Sequence, residues 1–221
     1  ELLLQVIAEV IAPSHRSSPT KSKLEDASPI FNDIVAILTT LIRQRRDLLQ
    51  AFIPQLSQLL GTLTSLLRVP HAQLGGAQQR LVAEAFPSWL NPFEQSLGEA
   101  DARALARLLT SITARTQTLA LRSRKRSREG DAIDRTDFLS KPFARHAMHV
   151  MVAYVRALIA SPYMFIPNNV QRALEPGLFA LCDITSGHDR DAALVGLLDP
   201  AGRTLMKRIW SNWEAQRYKG Q

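Results

Sequence analysis

A single cysteine, Cys182, stands among 221 residues. One thiol excludes an intramolecular disulfide, and a fold built without disulfides suits a reducing compartment. The residue lies in "LFALCDI", an apolar setting that points to core packing, whereas a nucleophilic sulfur needs exposure and a polarising neighbour. No apolar run approaches the roughly 18–20 residues that span a bilayer, so no membrane partner is expected. The layout of a secretory signal is also missing. The chain opens on Glu1 and "LLLQVIAEVIA", without an initiator methionine or an ordered basic, apolar and small-residue region. This opening reads as entry into the C-terminal part of a larger protein, inside or just before a helix. A phosphate-cradling loop is absent as well, because "LGGAQQR" lacks both the Lys-Ser/Thr and the preceding strand. Carboxylates are scattered without a prominent pair. The expectation is a protein that is not an enzyme, with no cofactor, no metal and no small-molecule substrate.

The chain does have enough apolar material for a core. Hydrophobic residues make up 46% of it, and a compact chain of this length buries roughly 70% of its unfolded surface. Lys and Arg number 27 against 20 Asp and Glu, a net charge of +7. Such a balance favours acidic partners, nucleic acid among them.

Apolar residues recur at helical spacing and nowhere alternate as in a strand. A first helix covers 1–12. "PSHRSSPTKSKLEDAS" follows, and 13–28 reads as a Ser/Pro-rich linker. Ser28-Pro29 has the form of a helix cap followed by proline at the first helical position. From Phe31 the stripe runs through Ile34, Leu38 and Leu41, then Leu48, Phe52, Leu56, Leu59, Leu63 and Leu66. "RQRRD" at 43–47 predicts a break between two helices, and Pro54 a kink in the second. Further helices are expected at about 77–86, at Ala100–Thr116, and from Phe143 to Leu158. Another begins with Asn168 or Asn169 as cap and bends at Pro176-Gly177. A short one covers about 189–198, and a terminal helix is capped by Asp199-Pro200. Helices of uneven length joined antiparallel predict an all-α fold over 29–221: an irregular helical repeat, a HEAT- or armadillo-like solenoid.

Three features could carry function. His146 and His149 in "HAMH" share a helical face at a spacing zinc can use, but no third ligand lies near, so they read as ordinary polar histidines. Arg122, Arg124, Lys125, Arg126 and Arg128 form a charge run in an exposed loop at 122–137, a candidate for nuclear import or RNA phosphate contact. In the terminal stretch "LMKRIWSNWEAQRYKGQ", a helical projection groups Leu205, Ile209, Trp213, Met206 and Trp210 into one arc about 140° wide. These residues are expected to close the core. Lys207 and Arg208, extended by Arg217 and Lys219, are left to face a partner.

The stretch 174–221, with Pro176-Gly177 before "LFALCD", then "LLDPAGRTLMKRIW" and the ending "WEAQRYKG", resembles the C-terminal domain of the nucleolar pre-ribosomal-associated protein 2 family, also called unhealthy ribosome biogenesis protein two. "FARHAMHVMVAYVRALIASP" at 143–162 is similar to the family's preceding helix. The resemblance implies a large helical protein of the nucleolus, acting in early large-subunit assembly and pre-rRNA processing. It also implies a complex with other assembly factors, including a large helical scaffold protein and a DEAD-box helicase, and it transfers no catalytic residue. Two readings follow: a protein–protein scaffold, or a module that itself holds pre-rRNA on a basic helical face.

Overall fold

The computed structural model describes residues 2–13, 27–113 and 139–219, and helix follows helix through them. α1 (Leu2–Ile11), α2 (Ala27–Gln44) and the single turn α3 (Arg46–Leu49) lead through a 3-10 turn (Gln50–Phe52) into α4 (Ile53–Leu66). α5 (Gly76–Glu84) and α6 (Glu99–Thr113) come next, then α7 (Ser140–Ile159), α8 (Asn168–Ile184), α9 (Gly187–Gly196) and α10 (Pro200–Lys219). The all-α expectation holds. A two-residue antiparallel ladder is the one addition among the described residues: β1 (Val69–Pro70) pairs with β2 (Met164–Phe165), Val69 opposite Phe165. It is too short to leave an alternating pattern in the sequence. His71 N–H donates to the Tyr163 carbonyl at 2.9 Å beside it.

The helices stack in two layers. α1, α4, α7 and α10 pack in succession, while α2, α6 and α8 form the other row. Each helix contributes one apolar stripe: Phe31, Ile34, Leu38 and Ile42 from α2, Leu56, Leu60 and Leu63 from α4, and Phe143, Val150, Met151 and Val155 from α7, all buried in one core. Burial on this scale is the main stabilising term, about 25 cal/mol for each Å² of apolar surface removed from water.

Two glycines set the closest approaches. A Cβ at Gly61 would lie 2.8 Å from the Ala153 Cβ, so α4 meets α7 there. At Gly177 a Cβ would stand 2.8 Å from the Ala106 Cα, so α8 lies against the backbone of α6. α6 and α8 share the largest helix–helix interface.

Polar groups fix the rows. Asp101, only 3% exposed, accepts from the Gly98 N–H at 2.8 Å, from Asn32 Nδ2 at 2.8 Å and from the Ser28 hydroxyl at 2.6 Å. It thereby caps α6 and holds α2 to it with one carboxylate. Arg46 Nε donates to the Ile42 carbonyl at 2.9 Å, closing the end of α2 where "RQRRD" breaks the chain.

Several local expectations need correction. Ser28 does not cap its own helix. Ala27 and Ser28 are already helical and Ala27 is buried, so the linker expected at 13–28 stops short of them; the stretch 14–26 lies outside the described residues. Pro54 kinks nothing, because it stands in the first turn of α4, where its missing N–H has no helical partner to lose. Asn168 is the first residue of α8, not its cap, and no side chain caps that end. Pro176 sits inside α8, as the sequence places it, and the helix runs on to Ile184. α9 begins two residues earlier than expected because Ser186 accepts from the Asp189 N–H at 3.1 Å. Residues 114–116, expected in α6, lie outside the described residues.

Candidate interaction surface

The terminal helix is built from its cap. Asp199 Oδ1 accepts from the Gly202 N–H at 2.8 Å, and Pro200 follows as the first helical residue, as the Asp-Pro pair predicts. Gly202 leaves room for this carboxylate, since a Cβ there would meet Asp199 Oδ1 at 2.8 Å. α10 then lies along α7 and α8.

Met206 and Trp210 are the deepest residues of the helix, and Trp210 is 7% exposed. Leu205, Ile209 and Trp213 flank them, half-buried against the core. The arc read from the sequence therefore faces inward, centred on Met206 and Trp210. The two indoles meet edge to face at 5.1 Å and 83°, an arrangement favoured by their quadrupoles. Trp213 Nε1 donates to Asp183 Oδ1 at 3.0 Å, while Trp210 Nε1 is buried with no acceptor among the described residues.

Cations cover the rings. Arg190 stands 5.5 Å over Trp210 and Arg217 stands 5.3 Å over Trp213, within cation–π reach. Arg217, expected to face a partner, stays exposed, and one helical turn beyond Trp213 it shares that ring's side of the helix. Lys207 and Arg208 are exposed, as expected. Lys219 ends the helix, and its side chain lies outside the described residues.

Two further arginines serve the fold. Arg203 donates to the Leu198 carbonyl at 3.0 Å and the Val195 carbonyl at 3.3 Å, and Arg156 to the Leu197 carbonyl at 2.9 Å. The carbonyls at the end of α9 are thereby satisfied by positive charge, the sign that a helix C-terminus favours. Nothing in the local sequence marks these two arginines as caps, because their partners lie on another element or across a turn.

His146 and His149 stack with ring centroids 5.6 Å apart. Partial burial, followed by the charges of His149 and Arg145, lowers the His146 pKa. No group of three or more His, Cys, Asp or Glu among the described residues is placed to hold a metal ion. Cys182 is buried, and burial first, then Asp183, pushes its thiol up to about 12. The thiolate needed for nucleophilic attack is thus suppressed. Arg122, Arg124, Lys125, Arg126 and Arg128 lie outside the described residues.

This end of the molecule is an aromatic pair packed inward, with arginines laid over it and exposed Lys207 and Arg208 on the opposite side. Among the described residues it holds no group of three or more His, Cys, Asp or Glu placed for a metal ion. The model of the Urb2/Npa2 family matches residues 1–221. That match extends through the Ser/Pro segment and the basic run, beyond the last eighty residues that carry the motifs. No curated protein and no solved structure matches the chain.

Proposed function

The chain belongs to the Urb2/Npa2 family of ribosome-biogenesis factors, and on that premise we propose that it is a non-enzymatic scaffold of the nucleolus. It acts in early assembly of the large subunit and in pre-rRNA processing, through protein–protein contacts on a HEAT-like stack of helices. The partners are other assembly factors, a large helical scaffold protein and a DEAD-box helicase complex among them. No helix among the described residues is long and apolar enough to cross a membrane.

One observation favours protein over RNA as the principal contact. A stacking platform for bases needs exposed aromatic faces, yet Trp210 and Trp213 pack against each other and carry Arg190 and Arg217 on their rings. With Trp210 buried and Trp213 half-buried under Arg217, little aromatic face is left for a base to stack on.

Crosslinking the full-length protein in cells tests this. Peptides from this region should recover assembly-factor peptides, and partner binding should change little between low and moderate salt. Recovery of pre-rRNA alone, with affinity falling by orders of magnitude over that salt range, would establish direct RNA holding instead.

A further inference from the structure

α4 and α7 lie side by side with Gly61 against Ala153 at mid-length, and the β1–β2 ladder joins the segments that follow their C-terminal ends. The two helices therefore run in the same sense. Between them lies an open groove of about 580 Å³, lined by Ser57, Gln58, Thr62 and Ser65 from α4 and by His149, Ala153, Arg156 and Ala157 from α7, with Arg68 just beyond α4 and Ala160 just beyond α7.

Its donors decide what fits. The Ser57 hydroxyl donates to the Pro54 carbonyl at 2.7 Å, Thr62 to Gln58 at 3.1 Å and Ser65 to Thr62 at 2.7 Å, so each hydroxyl proton is spent on its own helix. The oxygens remain as acceptors over a floor of glycine and alanine. The charged donors that remain are guanidinium groups, with the Gln58 amide and the His149 ring beside them. Arg68 uses Nε on the Ser65 carbonyl at 2.7 Å and lies 5.6 Å over the Phe86 ring, and Arg156 uses one Nη on Leu197. No carboxylate pairs with either among the described residues. Neither α4 nor α7 contains an Asp or a Glu anywhere along its length.

A phosphate backbone could meet the two guanidinium groups, but the groove offers it no spare hydroxyl proton and no Phe, Tyr or Trp ring on which bases could stack. An α-helix with a small apolar face and acidic flanks matches the rest. The geometry points to the α4–α7 groove as a docking site for an acidic amphipathic helix of a partner protein, its small face on the Gly61 and Ala153 floor and its carboxylates on Arg68 and Arg156. This assignment rests on the scaffold reading and names one surface for it. Helix-in-groove docking of this kind takes its affinity from the apolar face and its selectivity from the flanking charges.

The test uses the full chain and three probes: a synthetic helical peptide with an Ala/Leu face and Glu flanks, its Lys-flanked counterpart, and poly-uridine RNA. Fluorescence anisotropy should show the Glu peptide bound about tenfold more tightly than the Lys peptide, the selectivity expected of two surface charge pairs, one at the exposed Arg156 and one at the half-buried Arg68. Arg156→Glu should erase that preference. Gln58→Glu, on an exposed position whose side chain no core contact needs, should weaken the Glu peptide in the same direction and guards against misfolding of the first variant. Equal binding of both peptides, indifference to both variants, or poly-uridine displaced from the same residues would overturn the proposal. Partner crosslinks that survive the groove variants would sink this site and leave the scaffold reading standing; RNA-only crosslinks would sink the scaffold reading whatever the peptides do.

Discussion

Replacing Gly177 by alanine should destabilise the protein, although alanine is the better helix former. Gly177 lies inside α8, where the exchange alone would stabilise by roughly 0.5–1 kcal/mol. Its Cβ, however, would meet the Ala106 Cα at 2.8 Å, the Ala106 carbonyl oxygen at 3.0 Å and Leu109 Cδ1 at 3.0 Å. Leu109 can turn, but the backbone of α6 cannot move without disturbing the largest helix interface and the Asp101 network at its start. Overpacking costs about 1–3 kcal/mol, more where the neighbour is rigid, so the clash outweighs the propensity gain and leaves a net loss of about 2 kcal/mol. A chain of this size should then melt about 4–8 °C lower, read by circular dichroism. Gly196→Ala is the matched control. Nothing lies within 4 Å of its Cβ position, and it should stabilise by about 0.4–1 kcal/mol through the unfolded state. If Gly177→Ala melted at or above the wild-type temperature, the close approach of α8 to α6 would be wrong.

Asp101→Ala, which strands the Ser28, Asn32 and Gly98 donors, should cost about 3 kcal/mol in urea denaturation; a loss under half of that would mean that α2 is held by its apolar stripe alone. Trp210→Ala should cost about 3–5 kcal/mol as a buried ring, and Trp213→Ala less, about 2 kcal/mol, because its ring is half-exposed. Equal losses in thermal melts would contradict that order. Cys182 should resist thiol reagents at neutral pH until the chain unfolds. Its folded pKa is raised from 9.0 to about 12, so the stability linked to it is whole below pH 9 and drains away as pH rises through the folded value. Flat stability across that alkaline window would show the thiol to be solvated.

The helices were legible because each carries one continuous stripe, such as Phe31, Ile34, Leu38 and Ile42, and the cap at Asp199 because Asp and Pro act on their immediate neighbours. The inward turn of Trp210 was legible for the same reason. What escaped was long-range. Pro176-Gly177 reads as a bend when the partner helix is unknown, and only α6 reveals that glycine is there for approach. Ser28 reads as a cap until its hydroxyl is seen to donate to Asp101 across 73 positions. Arg217 is the surface cation that the sequence suggests, and its further contact with the Trp213 ring follows from the turn count. The groove between α4 and α7 has no local signature, because its walls end at Leu66 and begin at Ser140, far apart in the sequence.

The ladder and the Gly61–Ala153 contact together have a kinetic consequence. Two bodies touching at one point can pivot; fixed at two points along their length, they can neither roll nor splay without breaking one of the attachments. The space between α4 and α7 is in that sense a finished seat, shaped at folding and not at encounter. An occupant meets it without waiting for a rare open form, so its arrival is governed by diffusion and charge, and differences among occupants show in how long they stay.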